Sequence, residues 1–119
     1  MIKVLNLEPK DYSAKAKGIL ETFAHVSEGP LTHGELIRKI QDYDALIVRL
    51  AHQIDAEVIK AAKNLRAIVS ATTGLNHIDV DFARENGVKV LNLKNEVDFL
   101  KEIHATAEHT WALILTLLR

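Results

Sequence analysis

The feature that most constrains this fold is the regular alternation of short apolar runs with helical patterns. Four runs rich in β-branched residues and one weaker candidate are separated by segments of helix length. The predicted strands are Ile2–Leu7, His25–Ser27, Asp44–Leu50, Ala67–Ala71 and Val88–Leu93. Short apolar runs of this kind are typical of strands that are buried on both faces of a parallel sheet.

The segments between these runs carry the signals of amphipathic helices. After Ser13 an apolar stripe recurs at helical spacing; its members are Ala16, Ile19, Leu20, Phe23 and Ala24. The capping signals are the Thr32–Glu35 capping-box pattern, Asp55, Asp79 and the pair Asn86–Gly87. Repeated strand–helix–strand units predict an α/β fold with a doubly wound five-stranded parallel sheet in the order 2-1-3-4-5.

Length and composition agree with one globular domain. The chain has 119 residues, of which 48% are hydrophobic and 26% are charged, as in ordinary proteins with a packed core. The absence of cysteine excludes disulfides, thiolate metal ligands and thiol nucleophiles. Fifteen basic and sixteen acidic residues nearly cancel, which argues against nucleic-acid or membrane partners. No apolar run reaches the roughly 20 residues that cross a bilayer, and no signal-peptide pattern is present, so we expect a cytoplasmic protein.

The loops after the predicted strands lack the standard nucleotide-binding motifs. Ligands of doubly wound sheets bind beyond the carboxyl ends of the strands. The first such loop, Asn6–Lys10, has no phosphate cradle of the flavodoxin type, and Arg49 stands where a phosphorelay receiver needs aspartate. None of the five glycines is spaced as G-x-G, so the sequence contains neither a dinucleotide fingerprint nor a P-loop.

The most informative loop is Thr72–Asp79, which follows the fourth predicted strand. Gly74 permits a tight turn with accessible backbone N–H groups, and Thr73 and Asn76 add hydrogen-bonding side chains. An ordinary strand-to-helix turn with a capped helix explains the same residues, and spacing alone slightly favours that interpretation.

The six histidines form no recognisable metal motif, and we expect no metal site. His104, Glu108 and His109 share one predicted helix, but without the spacing H-E-x-x-H. The residues His25, His33 and His52 are predicted at solvated or loop positions.

The end of the chain departs from the alternating pattern. Ala105–Arg119 is predicted as a longer helix, and its stretch from Trp111 to Leu118 is apolar nearly all round. Such a helix is normally covered on all sides, whereas a five-stranded sheet covers only one. We therefore expect either an association with a partner or a larger parent protein.

Several ordered segments resemble the N-terminal part of the D-isomer-specific 2-hydroxyacid dehydrogenases, with phosphoglycerate dehydrogenase as the nearest type. The segments are DALIVRLAHQIDAEVIKAAKN from Asp44, LRAIVSATTGLNHIDV from Leu65, ENGVKVLNL from Glu85 and TAEHTWALILTLLR from Thr106. Their order is more specific than any one of them. The resemblance is clear from about Tyr43 to Arg119 and looser before it.

This resemblance implies a flavodoxin-like substrate domain over residues 1–104 and a junction helix over 105–119 that crosses toward a Rossmann domain. The family's G-x-G-x-x-G follows soon after that helix, and its catalytic arginine, carboxylate and histidine also come after this point in the sequence. We therefore assign no catalytic residue to this sequence. The resemblance implies NAD or NADP as the cofactor of the full-length parent. We expect no stable cofactor binding by this chain alone.

The resemblance carries over a limited set of site residues. Arg49 matches the family's arginine on the substrate-side loop after strand 3, although Leu50 replaces the usual serine; backbone N–H groups there could still bind a carboxylate. Thr73 and Gly74 match the Thr-Gly of the strand-4 loop, which contacts the substrate carboxylate and the cofactor. The matches on the nicotinamide side are Thr106, Glu108 and Thr110.

Two hypotheses follow for the chain as a whole. The first is a substrate-domain fragment of an NAD(P)-dependent D-2-hydroxyacid dehydrogenase, acting on a small 2-hydroxy or 2-oxo acid and inactive alone. It would associate as a homo-oligomer through the helix Ala105–Arg119. The second is a free-standing flavodoxin-like binding or scaffold module without catalysis.

Overall fold

In the computed structural model, the residues described are 2–10, 12, 14–70, 72 and 74–92. They form five strands and four α-helices in strict alternation. The elements are β1 (Ile2–Asn6), α1 (Ala14–Glu21), β2 (Ala24–Glu28), α2 (His33–Lys39), β3 (Ala45–Val48), α3 (Ala56–Ala61), β4 (Ala67–Ser70), α4 (Val80–Glu85) and β5 (Lys89–Leu91). The predicted helix Ala105–Arg119 and the predicted domain division at residue 104 lie outside the described residues.

The five strands form one parallel sheet in the order β2-β1-β3-β4-β5, which confirms the predicted α/β topology. Leu46 of β3 lies beside Leu5 of β1 and Ile68 of β4, and Ile68 lies beside Val90 of β5. The order reverses between β1 and β3. This reversal places the carboxyl ends of β1, β3 and β4 next to one another, where doubly wound sheets bind ligands.

Apolar side chains pack on both faces of the sheet. On one face, Leu46 and Val48 contribute to a cluster with residues of α2, α3 and α4. On the other face, Ala45 and Ile47 pack in a cluster with Leu20 of α1. All four residues of β3 are buried, as are all four of β4. Burial on both faces explains why these strands are continuously apolar rather than alternating.

The predicted helix caps are confirmed. Thr32 and Glu35 form a capping box, in which the Thr32 hydroxyl accepts from the Glu35 N–H at 3.2 Å and the Glu35 carboxylate accepts from the Thr32 N–H at 3.1 Å. Asp55 accepts from the Val58 N–H at 3.0 Å, and Asp79 accepts from the Phe82 N–H at 3.1 Å. Gly87 ends α4 with φ of 75°, the left-handed region that favours glycine.

The predicted extent of the first helix was wrong. The apolar stripe predicts a helix that extends through Phe23 and Ala24, but α1 ends at Glu21 and β2 begins at Ala24. The Phe23 N–H bonds to the Leu20 carbonyl in a tight turn, and Ala24 then pairs with Ile2 in the sheet. Ala24 and Leu20 share one core cluster, so their spacing imitates a helix although Ala24 reaches the core from a strand.

Within the described residues, none of the helices has the length and apolar character that a bilayer crossing requires.

Two leucines of one segment test the contribution of the sheet core. Leu46 is 0% exposed and Leu50 is 70% exposed. We expect Leu46→Ala to lower the free energy of unfolding by about 2–5 kcal/mol, because it leaves a cavity between sheet and helices. The matched control Leu50→Ala should change it by less than about 0.5 kcal/mol. Urea denaturation measures both, and equal losses would contradict the assigned core.

Candidate functional site

Three loops meet at the carboxyl edge of the sheet, after β1, β3 and β4. A depression of about 350 Å³ lies between the first two of these loops. Its polar lining is Glu8, Lys10, Arg49 and His52, and the rest of its lining is apolar. The depression combines a small apolar surface with two cationic side chains, Lys10 and Arg49, a composition that suits a small organic anion.

The carboxylate of Glu8 ties the loop after β1 to the loop after β3. Its Oε2 accepts a hydrogen bond from the Arg49 N–H at 2.5 Å, and its Oε1 accepts one from the Ala51 N–H at 3.2 Å. The Glu8 N–H in turn donates to the Asn6 side chain at 3.0 Å. Backbone N–H groups that were expected to be open to a ligand carboxylate are thus occupied by a carboxylate of the chain itself.

His52 lies in the loop after β3, one of the positions predicted for it, and packs against the same carboxylate. Its side chain is 12% exposed, and its Nδ1 lies 3.4 Å from Glu8 Oε2. This distance allows ionic attraction when the ring is protonated, but it is too long for a good hydrogen bond. Glu8 was not singled out by the sequence analysis, although a charged residue so close to the end of a buried strand was an available signal.

The loop after β4 differs, since three consecutive backbone N–H groups in it have no acceptor among the described residues. Among the described residues, the N–H groups of Gly74, Leu75 and Asn76 have no hydrogen-bond acceptor. A Cβ placed on Gly74 would meet none of the described atoms within 4 Å, so there is space beside this turn. Consecutive backbone N–H groups that lack internal acceptors are suited to binding an anion.

The far end of this loop is held by the segment before α3. The Ile54 N–H donates to the His77 carbonyl at 2.8 Å, and the Asp79 N–H donates to the Ile54 carbonyl at 2.9 Å. Ile54 and Ile78 form an isolated parallel bridge beyond the ends of β3 and β4. The loops after β3 and β4 are therefore joined by backbone pairing.

Beneath this loop, side chains form a chain of hydrogen bonds. His77 Nε2 lies 2.9 Å from Ser70 Oγ, Ser70 Oγ lies 2.7 Å from Thr72 Oγ1, and the Thr72 hydroxyl donates to the Gly74 carbonyl at 2.8 Å. His77 is only 5% exposed. Burial lowers the pKa of its imidazole below the ordinary value of 6.5, against the opposing effect of the Glu8 carboxylate.

The structure brings two of the predicted site residues to this edge. Arg49 lies in the loop after β3 with an exposed side chain, and Gly74 lies in the neighbouring loop after β4. The other predicted site residues are outside the described residues and stay predictions: Thr73, Thr106, Glu108 and Thr110. Ser70 and His77 were not predicted as parts of a common hydrogen-bond chain.

A second group of polar side chains lies at the N-terminal ends of α2 and α3. Ligand atoms of His33, Asp55 and Glu57 lie within 4.8 Å of one another, and all three residues are exposed. His33 Nε2 lies 2.9 Å from Asp55 Oδ2, while the other Asp55 oxygen caps α3. Helix capping and ion pairing account for this group, and we assign no metal to it.

The burial of His77 makes stability depend on pH. Below pH 6.5 the unfolded chain binds a proton at this imidazole more readily than the folded chain does, so the free energy of unfolding falls as pH falls. The contribution is fully present above pH 6.5, and its slope cannot exceed about 1.4 kcal/mol per pH unit for one proton. Thermal unfolding between pH 7.5 and 5.5 should show a flatter dependence for His77→Gln, and identical slopes would contradict the assignment.

Comparison with known proteins identifies the family of this chain. Residues 4–113 match the family model described as D-isomer specific 2-hydroxyacid dehydrogenase, catalytic domain. The chain is 39% identical over 89 residues to a D-3-phosphoglycerate dehydrogenase of Archaeoglobus fulgidus, covering 75% of this chain and 16% of that enzyme. It is 34% identical over 119 residues to a glyoxylate reductase of Thermofilum pendens, covering 99% of this chain and 34% of that enzyme.

Solved structures agree with this identification. An NAD⁺-bound 3-phosphoglycerate dehydrogenase of Entamoeba histolytica superposes with a TM-score of 0.63 at 30% identity, covering 76% of this chain and 32% of that one. This chain thus spans well under half the length of the relatives it matches. By the extent of the family match and the agreement in fold, the chain belongs to the D-isomer-specific 2-hydroxyacid dehydrogenases.

Proposed function

We propose that this chain is the substrate-binding part of an NAD(P)-dependent D-2-hydroxyacid dehydrogenase, and that the loop after β4 binds the substrate carboxylate. The observation that carries this proposal is the contrast between the two neighbouring loops. Glu8 already fills the N–H groups of Arg49 and Ala51, whereas Gly74 and the two residues after it have no acceptor among the described residues.

A 2-hydroxy or 2-oxo acid complements this arrangement. Its carboxylate would accept hydrogen bonds from the backbone N–H groups that begin at Gly74, and such charge-assisted bonds are stronger than neutral ones. The side chains of Arg49 and Lys10 line the adjacent depression and would attract the anion or a second anionic group, such as a phosphate. The names of the phosphoglycerate dehydrogenase and glyoxylate reductase relatives support this substrate class.

The reaction of the full-length parent would be hydride transfer between nicotinamide and C2 of the substrate. The described loops contain no glycine-rich cradle for a pyrophosphate, so the cofactor would be held mainly by a Rossmann domain beyond this chain. Thr73, Thr106, Glu108 and Thr110 would contribute from the substrate side, as the resemblance implies. The NAD⁺-bound relative supports a nicotinamide cofactor. We also propose that the parent enzyme is cytoplasmic.

Titration of the ¹⁵N-labelled chain with oxamate tests the proposed carboxylate site. We expect the amide signals of Gly74, Leu75 and Asn76 to shift, while those of Arg49 and Ala51 stay unchanged because Glu8 occupies them. Ethyl oxamate has a similar shape without the charge and should leave all five signals in place. Shifts at Arg49 and Ala51 alone, or equal effects of acid and ester, would contradict the proposal.

The same preparation tests the proposed division of the enzyme between two domains. Supplied with NADH or NADPH and a panel of 2-oxo acids, it should show no turnover, because the hydride carrier's main site and the proton-transferring histidine are assigned outside this chain. Turnover that survives repurification would overturn that assignment. Absence of both turnover and oxamate binding would favour a scaffold module instead.

We also propose that the chain forms homo-oligomers through the segment Ala105–Arg119. This segment is predicted as a helix whose stretch from Trp111 to Leu118 is apolar nearly all round, and one sheet would cover only one side of such a helix. Multi-angle light scattering at micromolar concentration should give at least twice the chain mass of 13.3 kDa. Replacing Trp111 and Ile114 by glutamate should reduce the oligomer to monomer. A monomer in the unmodified chain would contradict this proposal.

A further inference from the structure

We infer that His77 is a positioning residue that fixes the direction of the peptide group between Gly74 and Leu75, and so presents the Leu75 N–H to the substrate carboxylate. This inference rests on the proposed function of the loop after β4. Its evidence is the chain of hydrogen bonds beneath the loop, which runs from His77 through Ser70 and Thr72 to Gly74.

The protons in this series of hydrogen bonds can be assigned one by one. A hydroxyl has a single proton, and that of Thr72 is donated to the Gly74 carbonyl, which can only accept. The short contact between Ser70 and Thr72 then needs the Ser70 proton, because two bare oxygens would repel at 2.7 Å. Ser70 therefore has only a lone pair left for His77, and His77 Nε2 must be the donor at 2.9 Å.

This order of donors selects one tautomer of the imidazole. His77 carries its proton on Nε2, and its buried Nδ1 has no hydrogen-bond partner among the described residues. A second proton on Nδ1 would be a buried donor without an acceptor, so the ring is kept neutral. The three donors in this series of hydrogen bonds, His77, Ser70 and Thr72, consequently all point from the imidazole toward the Gly74 carbonyl.

The Gly74 carbonyl determines where the next N–H points. The described peptide bonds include no cis bond, and in a trans peptide the C=O and the following N–H lie on opposite sides of the group. Because the Gly74 carbonyl is bonded to Thr72, the Leu75 N–H is directed away from that hydroxyl. No described residue accepts a hydrogen bond from it.

His77 is itself held firmly enough to act as the fixed end of this series of hydrogen bonds. Its carbonyl accepts the Ile54 N–H at 2.8 Å, and its side chain is almost fully enclosed. The ring therefore contributes a donor of defined position rather than a mobile one. A role through Ser70 and Thr72, without contact to the substrate, makes His77 a positioning residue and not a catalytic one.

Two pairs of substitutions test this inference in the 119-residue chain. Thr72→Val removes the donor to Gly74 at nearly constant volume, and Thr72→Ser keeps a hydroxyl. His77→Leu removes the ring donor, and His77→Gln keeps an N–H donor. We expect the dissociation constant for oxamate to rise about tenfold in Thr72→Val and His77→Leu, since one oriented hydrogen bond is lost, and to recover most of that factor in the serine and glutamine variants.

Two spectroscopic measurements separate positioning from a merely structural role. Ring ¹⁵N shifts of the unmodified chain should show His77 protonated on Nε2. In Thr72→Val, the amide exchange rate and chemical shift of Leu75 should change, while the core amides of Leu46 and Ile68 keep their protection. If His77→Leu does not fold, the tautomer of His77 in the unmodified chain and the comparison of Thr72→Val with Thr72→Ser still test the inference.

The outcomes distinguish this inference from the proposed function. Protonation of His77 on Nδ1, or equal oxamate binding by Thr72→Val and Thr72→Ser, would overturn the inference while leaving the carboxylate site in place. If the unmodified chain shows the expected tautomer and Leu75 response to Thr72→Val but binds no oxamate, the proposed function fails and only the orientation of the peptide group is supported.

Discussion

Burial of the central strands on both faces is the constraint on which the rest of this structure depends. Every residue of β3 and β4 is enclosed, so neither strand has a face that could bind a ligand. Polar chemistry is restricted to the strand ends, and parallel pairing brings the carboxyl ends to one edge. The reversal of strand order between β1 and β3 then places the loops after three strands within reach of one another.

The loops after β3 and β4 satisfy their backbone polar groups in different ways. The loop after β3 uses the Glu8 carboxylate, whose side chain is 13% exposed and accepts two charge-assisted hydrogen bonds. The loop after β4 instead satisfies its Gly74 carbonyl with Thr72 and leaves donors without described acceptors. One loop therefore has backbone N–H groups occupied by a side chain of the protein itself, and the other has N–H groups without a described acceptor.

The fold was predictable from the sequence because several local signals agree with one another. The strands of β3 and β4 were found from their apolar runs, and the caps at Asp55 and Asp79 from their side chains alone. The boundary near Phe23 and Ala24 was not predictable, because apolar residues approaching one core from a helix and from a strand share the same spacing. Chain topology, not local pattern, decided that position.

The site was predictable only in part, for a related reason. Arg49 and Gly74 were placed at the sheet edge by their position after strands, as any residue there would be. The contacts of Glu8 with Arg49 and Ala51 cross 41 and 43 positions of sequence, and no local pattern encodes such a pairing. The proton order from His77 to Gly74 likewise depends on which side chains lie within hydrogen-bond distance of one another, and residue spacing does not contain that information.

The bridge between Ile54 and Ile78 has a mechanical consequence for this site. It continues the pairing of β3 with β4 past the last residues of both strands. The segments before α3 and α4 are joined by two hydrogen bonds, in which the Ile54 N–H donates to the His77 carbonyl and the Asp79 N–H donates to the Ile54 carbonyl. A displacement of the loop that carries Gly74 must either break these bonds or carry the loop of Arg49 with it. This part of the carboxyl edge is therefore stiff, because the loops that carry Arg49 and Gly74 are joined by backbone pairing just before α3 and α4.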